Sequence, residues 1–293
     1  MPGLELLVER VEEAGFAVAS VQPVAGASVG VAGTAELRDG RRVFAKALPE
    51  ADKDLFAAEA DGLSALREFG GVRVPTVVHV SERLLILEAL RPRVDDERFW
   101  ERLGSMVARL HTSTVSDRFG WHRDSWEGRN RQINSWEADG HVFYMQHRIL
   151  RYLPQPLVEA EFDREERRAV ERLCAALPQL IPSHPASLTH GDLWRGNILS
   201  DESGEPALID PAVCYMWPET DLAFLWCQPR PAAADRFFAV YEELARPFDG
   251  WRGQAQLLRI WDLFGVVAHG PDTWGAADIV RKIIAPFRHS TSP

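Results

Sequence analysis

Thr189-His190-Gly191-Asp192-Leu193-Trp194-Arg195-Gly196-Asn197-Ile198 places an Asp and an Asn five residues apart in a glycine-bearing segment. A short apolar stretch, Pro206-Ala207-Leu208-Ile209-Asp210-Pro211, follows and carries a second Asp near its end. Together the two segments predict strand–loop–strand–loop, with Asp192, Asn197 and Asp210 in the loops. The spacing suits phosphoryl transfer. A carboxylate at 192 orients an acceptor hydroxyl and takes its proton. Asn197 and Asp210 supply hard oxygen ligands of the kind magnesium prefers, beside the phosphates of ATP. Asp and Asn are also ordinary turn residues. The second Asp, closing an apolar run, is what turns the pattern toward chemistry.

The bulk numbers bound the answer. A chain of 293 residues, 46% hydrophobic and 26% charged, has material for one large or two modest globular domains. Its net charge of −10 argues against a general nucleic-acid binder, which needs a basic face. Cys174, Cys214 and Cys227 are too few and too scattered for a disulfide framework or a zinc site. They read as free thiols, and the expected location is the cytoplasm. Met1 to Gly15 is acidic and amphipathic, unlike a signal peptide. No apolar run reaches the roughly 18 residues of a membrane span. A monomer or weak dimer is expected.

Periodicity organises the rest. Leu4, Leu7, Val8 and Val11 predict a short amphipathic helix. Val18–Ser28, Val31–Leu37 and Arg42–Leu48 read as strands, with an Asp39-Gly40 hairpin turn between the last two. Asp54–Phe69 reads as a helix, and Val77–Ser81 and Leu84–Glu88 as a strand pair. Arg91-Pro92-Arg93 then breaks the pattern as a hinge. Beyond it, helices are predicted at Asp96–His111, Val142–Leu153, Asp163–Leu177, Asp221–Cys227, Ala233–Ala245 and Gln254–Val267, with Ser113–Trp136 left as a Trp-rich loop. The expected fold is α+β and two-lobed. Residues 1–90 form a small β-sheet lobe with one main helix, and residues 91–293 form a larger, mostly helical lobe.

The first lobe carries candidate nucleotide contacts. Lys46 lies on the third strand and Glu59 on the helix after it, where a Glu-held lysine can neutralise phosphates. Gly26 and Ser28, in Gly26-Ala27-Ser28-Val29-Gly30, lie in a small-residue loop whose amides can approach phosphates. The same stretch is a formal G-x-S-x-G. The hydrolase reading of that motif needs a helix directly after it, and a strand pattern follows instead. At the hinge, the Glu88 carbonyl and the Leu90 amide are candidates for the adenine edge.

With these residues assembled, the chain resembles the fructosamine (ketosamine) 3-kinase family, related to the aminoglycoside phosphotransferases. His190-Gly191-Asp192-Leu193-Trp194-Arg195-Gly196-Asn197 is similar to that family's H-G-D-L-W-x-G-N, in which the Trp is the particular feature. Ile209-Asp210-Pro211-Ala212 is similar to its metal-binding segment. Glu219-Thr220-Asp221-Leu222-Ala223 is similar to its E-x-D/E-L-A, whose acidic residue buttresses the catalytic loop. Phe119-Gly120-Trp121-His122, continuing through Gln132, Asn134 and Trp136, is similar to an insert of the family. The likeness runs from about Val24 to Trp251.

The resemblance implies a protein-kinase-like fold, ATP and magnesium as cofactors, and transfer of the γ-phosphoryl group to the 3-hydroxyl of a ketosamine or glycated amine, a deglycation role. Asp192 would be the base, and Asn197 and Asp210 the metal ligands. Trp194, Gln132 and Asn134 would face the acceptor. His190 and Asp221 would brace the loop. Departures fall at Asn130-Arg131-Gln132-Ile133-Asn134, at Leu225 to Arg230 and at Arg259 to Phe264, all on the expected acceptor side. Rival readings are an aminoglycoside-type or other small-alcohol phosphotransferase of the same fold, a nucleotide-binding pseudokinase, and a metal hydrolase built on His190 and Asp192. The intact Lys46, Glu59, Asp192, Asn197 and Asp210 set speaks against a pseudokinase. The hydrolase lacks further His ligands.

Overall fold

The computed structural model describes residues 2–24, 30–270, 272 and 275–288. Gly26 and Ser28 lie outside the described residues. Helix α1 (Pro2–Glu13) leads into strands β1 (Val18–Pro23), β2 (Val31–Leu37) and β3 (Arg42–Ala47), helix α2 (Leu55–Gly70), and strands β4 (Val77–Val80) and β5 (Leu84–Glu88). These strands form one antiparallel five-stranded sheet in the order β1-β2-β3-β5-β4.

Strand alternation decides which side chains face which helix. Val43, Ala45 and Ala47 of β3 pack with Leu84 and Ile86 of β5 against Leu7 and Val11 of α1. The intervening Phe44 and Lys46 therefore point to the opposite face. There Leu85 and Leu87 join Phe56, Leu63 and Leu66 of α2 in a core continuous with the second lobe. A single apolar period thus both builds the sheet and aims Lys46 at α2. Asp52 stands just ahead of α2 and accepts from the amides of Asp54 and Leu55.

After the hinge come α3 (Glu97–Ser113), β6 (Val115–Ser116), and the hairpin β7 (Ser125–Glu127) with β8 (Asn130–Gln132). Next are α4 (Gly140–Phe143), α5 (Pro156–Glu161) and α6 (Arg164–Leu180). Strands β9 (Ala186–Thr189), β10 (Ile198–Ser200), β11 (Pro206–Leu208) and β12 (Cys214–Met216) frame the catalytic segment, with β10 paired to β11 and β9 to β12. Helices α7 (Glu219–Trp226), α8 (Asp235–Ala245), α9 (Trp251–Leu258), α10 (Ile260–His269) and α11 (Ala276–Ile284) complete the lobe. The α+β class and the small-sheet, larger-helical layout agree with the sequence reading. No helix among the described residues is long and apolar enough to cross a membrane.

Several elements differ from expectation, and helices α5 and α11 lie where none was predicted. Ser113–Trp136 holds short strands rather than a plain loop. The helix expected at Val142–Leu153 is α4 followed by a π-helix over Tyr144–Ile149 and a 3₁₀ turn. Arg148, buried in that π turn, donates to the Ile133 carbonyl at 2.7 Å and to Asn134 Oδ1 at 2.6 Å. The helix expected at Gln254–Val267 is split at Arg259, whose φ of −117° and ψ of 10° leave the helical region. Its guanidinium is buried against Asp262, with Nε 3.2 Å from Oδ2.

Candidate active site

Asp192 sits between β9 and β10, on a loop fixed from below by Asp221. That residue is fully buried at the start of α7. Its Oδ2 accepts the His190 amide at 2.7 Å and its Oδ1 the Gly191 amide at 2.9 Å. His111 from α3 reaches the same carboxylate at 3.2 Å and is itself held by the Tyr241 hydroxyl at 2.7 Å. His190 Nε2 meets the Ile209 carbonyl at 3.0 Å, so that nitrogen carries the proton, and Nδ1 accepts the Asp192 amide at 3.3 Å. Burial holds this imidazole below its usual pKa. Both expected supports, His190 and Asp221, are thus backbone clamps.

Gly191 has φ of 81°, and a Cβ there would overlap the Ala212 carbonyl. Gly191→Ala is expected to lower unfolding stability by about 2–4 kcal/mol through left-handed strain plus the overlap. Denaturant titration checks this, and a loss under about 0.5 kcal/mol would show that the loop re-forms easily.

Asn197 turns its amide onto Asp192. Nδ2 donates to Oδ2 at 2.8 Å and to the Asp192 carbonyl at 2.9 Å. Burial first, then the charges of Asp262 and Asp210, push the Asp192 carboxyl well above the usual range, against the bond from Asn197. A more basic carboxylate is better matched to an alcohol proton.

On the opposite wall, Lys46 Nζ donates to both Glu59 oxygens, at 2.8 and 2.9 Å, and also bonds Asp210. Burial opposes the lysine's charge, but the two carboxylates outweigh it and raise its pKa. Burial and the charge of Asp210 push Glu59 up to about 7, against Lys46. Burial also works to raise Asp210, yet Lys46 overcomes it and holds that carboxyl low. Asp210 has φ of 53°, a left-handed backbone that few residues other than Gly, Asn and Asp adopt and that recurs at functional sites. The structure therefore brings Lys46, Glu59, Asp210, Asn197 and Asp192 together from β3, α2 and the two loops. Glu88 spends its carboxylate on Arg73 and the Thr76 amide. Among the described residues nothing in the protein accepts the Leu90 amide, which stays free for a ligand edge.

Asn197 and Asp210 suit magnesium by donor chemistry. With Nδ2 spent on Asp192, Asn197 keeps its Oδ1, a hard neutral oxygen, and Asp210 adds a carboxylate. Among the described residues no three His, Cys, Asp or Glu side chains converge as a metal site of their own. This set fits an ion that takes few protein ligands and fills its shell with phosphate and water.

Trp194 is 42% exposed on the catalytic loop, open to a ligand. Gln132 and Asn134 are placed otherwise than expected, each 1% exposed. Gln132 Nε2 donates to Glu127 and to the Tyr152 hydroxyl, while its oxygen accepts from Arg151. Asn134 Nδ2 donates to the Arg123 carbonyl and Ser125 Oγ, and its oxygen accepts from Arg148. With these atoms engaged inside the protein, both side chains stiffen the hairpin and leave little to offer an acceptor. Sequence reasoning missed the residues that do approach Asp192, namely Glu127 on β7 and Asp262 on α10. Burial, then the charges of Asp262 and Asp192, push Glu127 well above the usual range, so the three carboxyls lie within electrostatic reach of one another. The one available signal was that Asp262 lies in a segment departing from the family pattern.

The sequence pattern of the fructosamine kinase family matches residues 4–271. The chain belongs to the fructosamine kinase family. It is 32% identical over 241 residues to a probable ketoamine kinase of Enterococcus faecium, covering 78% of this chain and 81% of that one. It is 29% identical over 245 residues to the chloroplastic protein-ribulosamine 3-kinase of Oryza sativa subsp. japonica, covering 78% and 69%. The crystal structure of a protein described as a fructosamine-3-kinase, from Thermobifida fusca, superposes with a TM-score of 0.83 at 31% identity over 96% of each chain. The chain is accordingly a phosphotransferase of a kinase-like family whose members use ATP.

Proposed function

We propose that the chain transfers the γ-phosphoryl group of ATP to the 3-hydroxyl of small ketosamines, the fructose or ribulose adducts of amines. The observation that carries this reading is the acceptor side of Asp192. An exposed Trp194 flanks it, and the carboxyls of Glu127 and Asp262 lie near it. An indole face suits a sugar, and an acidic wall suits the protonated amine that every ketosamine carries. The hydroxyl oxygen attacks the γ-phosphorus, its proton passes to Asp192 Oδ, and the bond to the β–γ bridging oxygen breaks to release ADP. Lys46, held by Glu59, offsets phosphate charge. Asn197 and Asp210 would hold magnesium, which when bound draws negative charge from the phosphate oxygens. The resulting 3-phosphate decomposes without catalysis and frees the amine, a deglycation role.

Trp194→Ala is expected to raise the acceptor KM about 10-fold, with the ATP KM within about 2-fold of the parent. An ATP-consumption screen with fructose and ribulose adducts of lysine, aminoglycosides and simple amino alcohols tests the assignment. Strong aminoglycoside turnover with no turnover of any ketosamine at millimolar concentration would overturn it.

A further inference from the structure

The segment between β6 and α4 touches both halves of the site. Its first part grips α2. Trp121 Nε1 donates to Asp61 Oδ2 at 2.9 Å, and His122 Nε2 lies 3.2 Å from Asp61 Oδ1. Arg123 donates to the Ala57 carbonyl at 3.2 Å and stands 3.8 Å from Asp54. These partners all lie on α2 or at its start, within two turns of Glu59. The helix also presses on the Asp210 loop, where a Cβ on Gly62 would sit 3.0 Å from Pro211.

The second part of the segment reaches the acceptor side through Glu127. The two parts are one piece. Asn134 bonds the Arg123 carbonyl at 3.1 Å and Ser125 Oγ at 3.1 Å, its own amide bonds Asp124 at 3.0 Å, and Gln132 bonds Glu127 at 3.1 Å. A hairpin cross-braced through the buried Ser125, Gln132 and Asn134 transmits displacement rather than absorbing it.

We propose that Asp61 is a positioning residue: by holding Trp121 and His122 it ties the acceptor-side hairpin to α2 and so sets where Glu59 places Lys46 against the nucleotide. Acceptor occupancy and nucleotide affinity are then coupled, each raising the other by the same factor. The inference rests on the assignment of the Lys46–Glu59 pair to nucleotide phosphates.

The test measures binding of magnesium with a non-hydrolysable ATP analogue by calorimetry, alongside steady-state KM and kcat and the melting temperature. Asp61→Ala is expected to weaken analogue binding about 5–20-fold and to raise the ATP KM more than it lowers kcat. Trp121→Phe keeps the buried ring but removes the donor, and should shift affinity in the same direction by a smaller factor. Asp61→Asn keeps an oxygen for the Trp121 donor and should stay within about 2-fold of the parent. A purely structural role would lower the melting temperature of Asp61→Ala and Trp121→Phe while the folded proteins keep the parent affinity, and that result overturns the proposal. If Asp61→Ala does not fold, Trp121→Phe decides, and parent-like affinity there overturns it equally. A parent that binds no nucleotide defeats the underlying assignment instead, so the two failures are distinguishable.

Discussion

Asp192→Asn is expected to cut kcat by about 100- to 10,000-fold while leaving the ATP KM within about 3-fold of the parent. The geometry makes this a clean substitution. Asn197 Nδ2 donates to Asp192 Oδ2 at 2.8 Å, and an introduced amide can present its own oxygen to that donor. The loop is held by Asp221 through backbone amides, which the change does not touch. What disappears is a proton acceptor whose basicity burial, Asp262 and Asp210 have raised. The nucleotide wall, with Lys46 on Glu59, stays in place. Single-turnover kinetics isolate the chemical step. A kcat within about 3-fold of the parent would remove Asp192 from the role of base.

The parts of this site that were legible in the sequence share one property: each is local. Lys46 and Glu59 follow from their places on the third strand and the helix after it, and the fold bears out the placement, with Val43, Ala45 and Ala47 facing α1 and Lys46 on the α2 side. Asp192 and Asn197 follow from a spacing within one loop, and Asp210 from the end of an apolar strand. The illegible parts are tertiary. Glu127 and Asp262 meet near Asp192 only because β7 and α10 fold onto the same side of the cleft, and no period in either segment announces it. Gln132 and Asn134 read as acceptor contacts because the family pattern picks out the residues without saying which way they face. In the fold their amides are absorbed by Tyr152, Arg151, Arg123, Ser125 and Arg148. The π turn around Arg148 and the break at Arg259 escaped for the same reason. Arg148 turns inward onto Ile133 and Asn134, well back in the chain, and Arg259 is buried with Asp262 in the lobe interior; local helix propensity is blind to such burial of a cation.

Asp210 carries the second large effect. Its carboxylate pairs with Lys46, and the amide of its neighbour Ile209 donates to the Asn197 carbonyl at 3.1 Å, which sets the two proposed metal ligands on adjoining loops. Asp210→Ala is expected to abolish magnesium-dependent strengthening of ATP binding, a loss of about 100-fold or more in affinity for the magnesium complex, with metal-free ATP affinity within about 3-fold. Alanine alone would confound this, because the φ of 53° strains a residue that lacks a local hydrogen-bonding side chain. Asp210→Asn separates the causes, since Asn tolerates the left-handed backbone and matches the shape while removing the charge. Both substitutions should lose the magnesium effect, and only the alanine variant should also lose stability, by about 1–2 kcal/mol. Glu59 remains on Lys46 in either case, at 2.8 and 2.9 Å in the parent, so the phosphate-facing lysine keeps an anchor and metal-free binding survives. Calorimetry with and without magnesium reads the difference directly. If both variants bind magnesium-ATP as tightly as the parent, Asp210 is a lysine clamp at a strained turn, and the second metal ligand lies elsewhere in the cleft.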